Sequence, residues 1–224
     1  PDLLETGGGI ANICHLVPRG EGLIVYNGDI LTDLPLTPAL ESHASTHSLA
    51  TLVVRRDHPE KRISLDESSG SIVDIRGQLA TGYPKDFGFT GIYCLSPEFL
   101  ALLPPVSKYS VVSVFLDLIR SGRRVTGVSS DTGSWADLGD RSAYLDASAK
   151  KFPLPYIDPK ATVDPSSTVT GTSYIDAGAT VGAGATLVDS VLWPNATVAP
   201  GSALTRCIVR NGELASGIAT DQDF

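Results

Sequence analysis

Several things are scarce in this chain, and each scarcity excludes a class of protein. It has only three cysteines, Cys14, Cys94 and Cys207, scattered and without a C-x-x-C spacing. Such a set builds neither a zinc site nor a disulfide framework; it predicts buried thiols in a reducing, cytoplasmic compartment. No run approaches the roughly eighteen apolar residues of a membrane span, and nothing near Pro1 resembles a charged leader followed by an apolar core. Without a secretory signal, Asn195-Ala-Thr197 reads as an unused glycosylation sequon. Basic charge is also short: 17 Lys and Arg stand against 25 Asp and Glu, a formal net charge of -8 with no long run of either sign. Nucleic acid and anionic membranes both demand a basic face, so neither is an expected partner, whereas a small anion held by local groups is compatible. Histidine is confined to positions 15, 43, 47 and 58. These four share no periodic face, and no metal or acid–base role is read into them.

What the chain does have is a repeat. In its last third, aliphatic residues recur every six positions at Ile157, Val163, Val169, Ile175, Val181 and Leu187. Small or turn-forming residues fill the gaps, as in Val181-Gly-Ala-Gly-Ala-Thr, so each short strand must be followed by a corner. The product is a parallel β-helix. The spacing then shortens to reach Leu192, returns to six at Val198 and Leu204, and shortens again at Val209. Two matching short steps seventeen residues apart are three faces of a triangular coil with one residue saved. About three coils are expected, with Ser216 to Phe224 as a less regular tail. Such a solenoid leaves an exposed terminal coil, which predicts a homo-oligomer through this domain.

The first 150 residues alternate strand and helix patterns. Gly7-Gly-Gly9 reads as a turn opening a helix to Val17, and Gly22-Leu-Ile-Val-Tyr-Asn27 as a buried strand. A helix follows from Pro38 to Thr46, a strand from Leu49 to Arg56, an antiparallel pair at 63–65 and 72–75, and a strand from Phe87 to Leu95. Ser96-Pro97 starts a helix; Val111 to Arg120 is an amphipathic helix, Val125 to Val128 a strand and Arg141 to Ala149 a closing helix. The alternation predicts a mostly parallel sheet covered on both faces, and Lys150-Lys-Phe-Pro-Leu-Pro155 a boundary between domains spanning 1–150 and 151–224.

In such sheets chemistry gathers at strand ends. Asp29, in Tyr26-Asn-Gly-Asp29, places a carboxylate directly after an apolar strand, where it can hold a divalent cation while Gly28 lets a ligand approach the backbone. Asp137, in Ser134-Trp-Ala-Asp-Leu-Gly139, is a second rim carboxylate, and Trp135 reads as the packing anchor of its loop. The Gly7-Gly8-Gly9 turn can present backbone N–H groups to the polar edge of a ligand.

Taken in order, these segments resemble one family, the sugar-1-phosphate nucleotidyltransferases. Leu4-Glu-Thr-Gly-Gly-Gly9 is similar to the family's base-reading turn, Asn27-Gly-Asp29 to its metal-binding strand end, and Phe89-Thr-Gly-Ile-Tyr93 with Ser96-Pro-Glu98 to its sugar-facing strand. Trp135-Ala-Asp-Leu-Gly139 with Tyr144-Leu-Asp-Ala147 resembles its W-x-D-x-G motif and following helix. The Glu-Thr-Gly-Gly-Gly form is closest in appearance to mannose-1-phosphate guanylyltransferases and N-acetylmuramate-1-phosphate uridylyltransferases.

The resemblance implies an α/β fold with a Rossmann-like sheet, followed by a left-handed parallel β-helix. It implies, for the full-length protein, transfer of a nucleotidyl group from a nucleoside triphosphate to a sugar 1-phosphate, with Mg²⁺ held by Asp29 and Asp137 as the catalytic pair. Glu5, Thr6, Gly7, Gly8, Asn27 and Gly28 would read the nucleotide, and Thr90 with Gly91 the sugar. The family's G-x-G-T-R-like phosphate loop and downstream Pro-Lys do not occur in the sequence, so an incomplete N-terminus, lacking the first strand, is expected, and with it no activity of the chain as it stands. Two rival readings are a sugar-nucleotide-binding regulatory homologue and a β-helix acyltransferase. The second needs a base on the coils, and no histidine occurs beyond His58.

Overall fold

The computed structural model describes residues 3–151 and 153–224, apart from the side chain of Lys151. Phe152, inside the expected boundary segment, lies outside them. The chain separates into two compact units, 1–135 and 136–224.

The first unit is built on a six-stranded sheet. In chain order its strands are β1 (Leu23–Tyr26), β3 (Ala50–Arg55), β4 (Ile63–Asp66), β5 (Ser71–Ile75), β6 (Gly88–Leu95) and β7 (Val125–Ser129), with the short β2 (Ile30–Thr32) outside it. The spatial order is β1-β6-β3-β7-β5-β4. Only β3 and β7 pair in parallel, from Ala50 opposite Val125 to Val54 opposite Ser129. The other pairings are antiparallel, because β6 and β5, which run against the rest, are interleaved among strands that share one direction. The sheet is therefore mixed: β1, β3, β7 and β4 point one way, although few of them are neighbours.

Helices cover both faces, as the burial of nearly every residue of β3 and β6 requires. On one face Leu52, Val54, Tyr93 and Leu95 pack against Ile10 of α1 (Glu5–Ile13) and against Val111, Val114, Phe115 and Leu118 of α4 (Val111–Arg120). On the other, Val53, Ile92 and Cys94 meet Ala39 of α2 (Thr37–Thr46), Leu34 and Trp135. The Ser96 hydroxyl caps α3 (Pro97–Ala101) by accepting from Phe99 N at 3.1 Å, as a Ser-Pro start predicts.

Two expectations change here. The three glycines lie inside α1, not in a turn before it, with Gly7 and Gly8 buried. The apolar run Leu23–Tyr26 forms an edge strand, so Ile24 and Tyr26 remain 45% and 43% exposed instead of buried.

The second unit begins within β8 (Trp135–Asp137) and continues with α5 (Arg141–Lys151) and the solenoid. Twelve short strands stack as three four-stranded parallel sheets, which makes four coils rather than about three. One inner column runs Ile157, Ile175, Leu192, Val209 and a second Val163, Val181, Val198, Ala215. The third runs Val169, Leu187, Leu204, Ala219. The anticipated six-residue ladder is thus the core. Tyr156 pairs with Tyr174 eighteen residues on, but Tyr174 pairs with Val191 after seventeen. The residue saved lies at one corner: Gly171-Thr-Ser173 in the first coil becomes Asp189-Ser190 in the next, with Asp189, Arg206 and Asp221 each at positive φ there. The tail is more regular than its sequence suggests. Ile218–Thr220 forms the last strand, and Phe224 N donates to Ile208 O at 2.9 Å while Phe224 packs on the core.

α5 belongs with the solenoid. Its Leu145 is buried against Val191 and Ile208, Tyr144 Oη accepts from Trp193 Nε1 at 2.8 Å, and Arg141 Nη1 donates to Arg206 O at 2.9 Å. The compact units therefore meet at 135/136, whereas the change in sequence texture falls near 151. A helix can close the α/β pattern in sequence and still bury its apolar residue elsewhere.

Candidate active site

The sheet brings two of the expected site segments together. β1 ends at Tyr26, opposite Ile92 of β6, so the Asn27-Gly28-Asp29 turn emerges beside Gly91. Asn27 N donates to Gly91 O at 3.1 Å, and Ile30 N closes the turn on Asn27 O at 3.2 Å. Gly91 has φ +80, and a Cβ there would lie 3.0 Å from both Asn27 Nδ2 and Ile30 Cγ1. A side chain at 91 is excluded twice, by conformation and by space. Gly28 and Asp29 are exposed, and no hydrogen bond occupies the Asp29 carboxylate among the described residues.

Thr90 is placed differently from Gly91. It is fully buried, its hydroxyl donates to Val53 O at 2.8 Å, and its carbonyl accepts from Trp135 Nε1 at 3.0 Å. Both polar groups are engaged in holding β6 and Trp135. The indole also lies with its ring centroid 4.4 Å from that of His58. Trp135 is the packing anchor its position predicts.

Glu5, Thr6, Gly7 and Gly8 form the start of α1 and pack against the segment before α4. Gly7 N and Gly8 N both donate to Tyr109 O, at 3.0 and 3.2 Å, and Thr6 Oγ1 accepts from Val111 N at 3.1 Å. Cβ atoms added at 7 and 8 would stand 2.3 Å from the Tyr109 ring and 1.9 Å from Ser107 O. Close packing alone therefore accounts for two of the three glycines. Among the described residues no hydrogen bond joins this turn of α1 to Asn27–Asp29.

Asp137 is exposed at the end of β8, and its Oδ1 accepts from Gly139 N at 2.8 Å. Among the described residues no three His, Cys, Asp or Glu side chains gather in a metal-binding group. The donor chemistry still suits Mg²⁺, which takes one or two carboxylates and fills its remaining positions with water and phosphate oxygens.

Charged residues that sequence reasoning passed over surround the loop before Trp135. Arg55 is 4% exposed; its Nε and Nη2 donate to Asp57 at 2.6 and 2.8 Å, and its Nη groups reach the carbonyls of Thr132 and Gly133. Asp33 accepts from Ser134 N and Oγ, and these bonds, the backbone one foremost, hold its carboxyl below the usual carboxylate range. Asp131 accepts from Arg56 N at 2.7 Å and from Ser129 Oγ at 2.9 Å. The only signal in the sequence was spacing: Asp33 follows Asp29 by four residues across a strand too short to be noticed. The histidines stay structural where bonds are seen; His43 Nδ1 lies 2.9 Å from the Thr51 hydroxyl. Cys94 and Cys207 are buried as expected, but Cys14 is only partly so. No helix of the described residues is long and apolar enough to cross a membrane.

No family model matches the chain. Among individual proteins, it is 32% identical over 65% of its length to the N-acetylmuramate alpha-1-phosphate uridylyltransferase of Neisseria meningitidis serogroup B, covering 62% of that protein. It is 28% identical over 65% of its length to the mannose-1-phosphate guanylyltransferase of Mycobacterium tuberculosis, covering 41% of it. It is 27% identical over 64% of its length to the UTP–glucose-1-phosphate uridylyltransferase of Synechocystis sp., covering 39% of it. The matched stretch thus spans less than two thirds of each relative. All three are named as transferases of a uridylyl or guanylyl group to a sugar 1-phosphate, and the sugar-1-phosphate nucleotidyltransferases are the family that this chain resembles.

Proposed function

We propose that this protein transfers a nucleotidyl group from a nucleoside triphosphate to a sugar 1-phosphate, giving a nucleoside diphosphate sugar and pyrophosphate. The observation that carries the reading is the pairing of the Asn27-Gly28-Asp29 turn with Gly91. It sets the exposed Asp29 carboxylate and the open backbone of Gly28 at the end of β1, against β6, in a chain similar to three enzymes of that type.

The reaction is a direct displacement. A phosphate oxygen of the sugar 1-phosphate attacks the α-phosphorus of the triphosphate, the P–O bond to the β-phosphate breaks, and pyrophosphate leaves with that electron pair. No covalent enzyme intermediate is needed, so the protein's work is orientation and charge stabilisation. Asp29 and Asp137 would hold Mg²⁺, which when bound offsets the negative charge gathering on the transferred group. Gly28 lets the nucleotide approach the backbone, Asn27 lines its edge, and Thr90 with Gly91 belongs to the strand that would face the sugar. Glu5, Thr6, Gly7 and Gly8 complete the nucleotide-reading set; the Gly7 and Gly8 amides reach a base only by releasing the Tyr109 carbonyl.

Pyrophosphate release measured with UTP, GTP and other triphosphates, against glucose, mannose and N-acetylmuramate 1-phosphates, tests the reaction and identifies base and sugar. Asp29→Asn should slow release about a hundredfold or more while the fold persists. Near-normal release by this variant overturns the role of Asp29. Tight binding of product sugar nucleotides with no release from any pair would instead make the protein a non-catalytic sensor. A cytoplasmic setting fits the three free cysteines. A homo-oligomer joined through the solenoid fits its exposed last coil.

A further inference from the structure

The pairing of β6 with β3 breaks where the strand would face the sugar. Leu52 stands opposite Tyr93 and Val54 opposite Phe89, so Thr90, Gly91 and Ile92 together face the single residue Val53. A bulge of this kind disrupts the ladder between the two strands, and side chains supply the missing bonds. The Thr90 hydroxyl donates to Val53 O at 2.8 Å, and the Thr90 carbonyl accepts from the Trp135 indole at 3.0 Å. Because a peptide unit is planar, holding that carbonyl also fixes the direction of the Gly91 N–H.

The indole is held in turn by a histidine. Arg55 lies opposite Gly88 at the end of β3, and its guanidinium grips Asp57 through Nε at 2.6 Å and Nη2 at 2.8 Å. The chain then brings His58 back over β6. Its imidazole fills the space of a side chain at 88, since a Cβ added to Gly88 would stand 2.0 Å from His58 Cγ. The ring centroid lies 4.4 Å from that of Trp135, and Nδ1 accepts from Glu60 N at 2.9 Å, which fixes the rotation of the ring. Pairing of β8 with β2 places the Trp135 backbone; it does not choose the rotamer of the side chain, whereas a ring packed against the indole does.

We propose that His58 is a positioning residue for the sugar 1-phosphate: by packing on Trp135 it keeps the indole on Thr90 O and the Thr90–Gly91 peptide in one orientation. The inference rests on the assignment of Thr90 and Gly91 made above. His58 itself touches neither substrate, and every residue in the chain of contacts belongs to the first compact unit.

The test measures pyrophosphate release by the intact protein, varying the sugar 1-phosphate and the triphosphate in turn. His58→Ala should raise the KM for the sugar 1-phosphate about tenfold, less than the roughly hundredfold that a misplacement of about 1 Å can cost. The KM for the triphosphate should stay within about twofold of wild type, a split that general loosening of the fold would not give. His58→Phe, which keeps a ring against the indole, should recover most of the loss. His58→Asn, which keeps an acceptor for Glu60 N without a ring, should not. In a Trp193→Phe background Trp135 is the only tryptophan; its quenching by acrylamide should rise in His58→Ala and not in His58→Phe. A folded His58→Ala whose two KM values are unchanged, or rise equally, overturns the inference while the reaction stands. Should that variant not fold, the contrast between the Phe and Asn variants decides, and equal KM values in the two overturn it. A wild type that releases no pyrophosphate from any pair removes the assignment of Thr90 and Gly91, and the role of His58 with it.

Discussion

Adjacent glycines in α1 meet opposite conditions, and single substitutions expose the difference. At Gly8 an added Cβ would sit 1.9 Å from Ser107 O, a backbone atom that cannot step aside. Overpacking of that kind commonly costs about 1–3 kcal/mol, so Gly8→Ala should lower the melting temperature despite alanine's better helix propensity. At Gly9 nothing lies within 4 Å of the added atom. Gly9→Ala should therefore stabilise the protein, by up to about 1 kcal/mol. Thermal melts of the two variants check the sign, and equal shifts would refute close packing as the reason for Gly8. His43 carries a pH dependence at the same scale. Burial pushes it below the ordinary histidine value of 6.5, against a smaller opposing attraction from Glu98. The folded state thus takes up its proton later than the unfolded chain as pH falls. Stability from this residue is present above pH 6.5 and drains away below it, through the lowered folded value. His43→Gln should flatten the fall in melting temperature below pH 6.5; an unchanged slope there would assign the acid sensitivity elsewhere.

Among the elements, α5 shows how a helix can be legible while its partner is not. Its sequence marks it as the end of an alternating α/β pattern, yet Leu145 is buried on Val191 and Ile208 of the solenoid. A fragment of residues 136–224 should fold cooperatively, whereas residues 152–224 should melt lower and bind a hydrophobic dye through the uncovered patch. Equal melting of the two fragments would show that the helix contributes nothing to the solenoid. Other elements were readable for local reasons: α3 from its Ser-Pro start, α4 from its periodicity, β4 and β5 from their pairing across a short turn. β2 and β8 were not, because three residues carry no period, and their strand character comes only from what lies beside them. The exposure of β1 was hidden for a related reason: Leu-Ile-Val-Tyr states an affinity for burial, but strand order decides whether neighbours exist to supply it.

At the scale of the molecule, the solenoid's outer surface changes character along its axis. Thr162, Thr180 and Thr197 form one outward column that ends in Leu214, and Thr168, Thr186 and Ala203 another that ends in Ile218. Those two terminal residues are 60% and 88% exposed. Apolar side chains where earlier coils carry threonine favour contact with another surface, and an identical copy is the simplest closed solution. Sedimentation at micromolar concentration should report an oligomer, and Leu214→Asp with Ile218→Asp should dissociate it; a monomeric wild type would contradict the assignment.

The six-residue ladder, the saved residue per coil and the carboxylates at apolar run ends were all determined by the sequence itself, because each is a local periodicity or a local boundary. Coil number, the helix that covers the solenoid and the grip of Asp33 and Arg55 on the Thr132–Ser134 peptide were decided only in three dimensions. Those features depend on pairings about 80 to 100 residues apart, or on which surface happens to stand opposite, and no pattern along the chain records either.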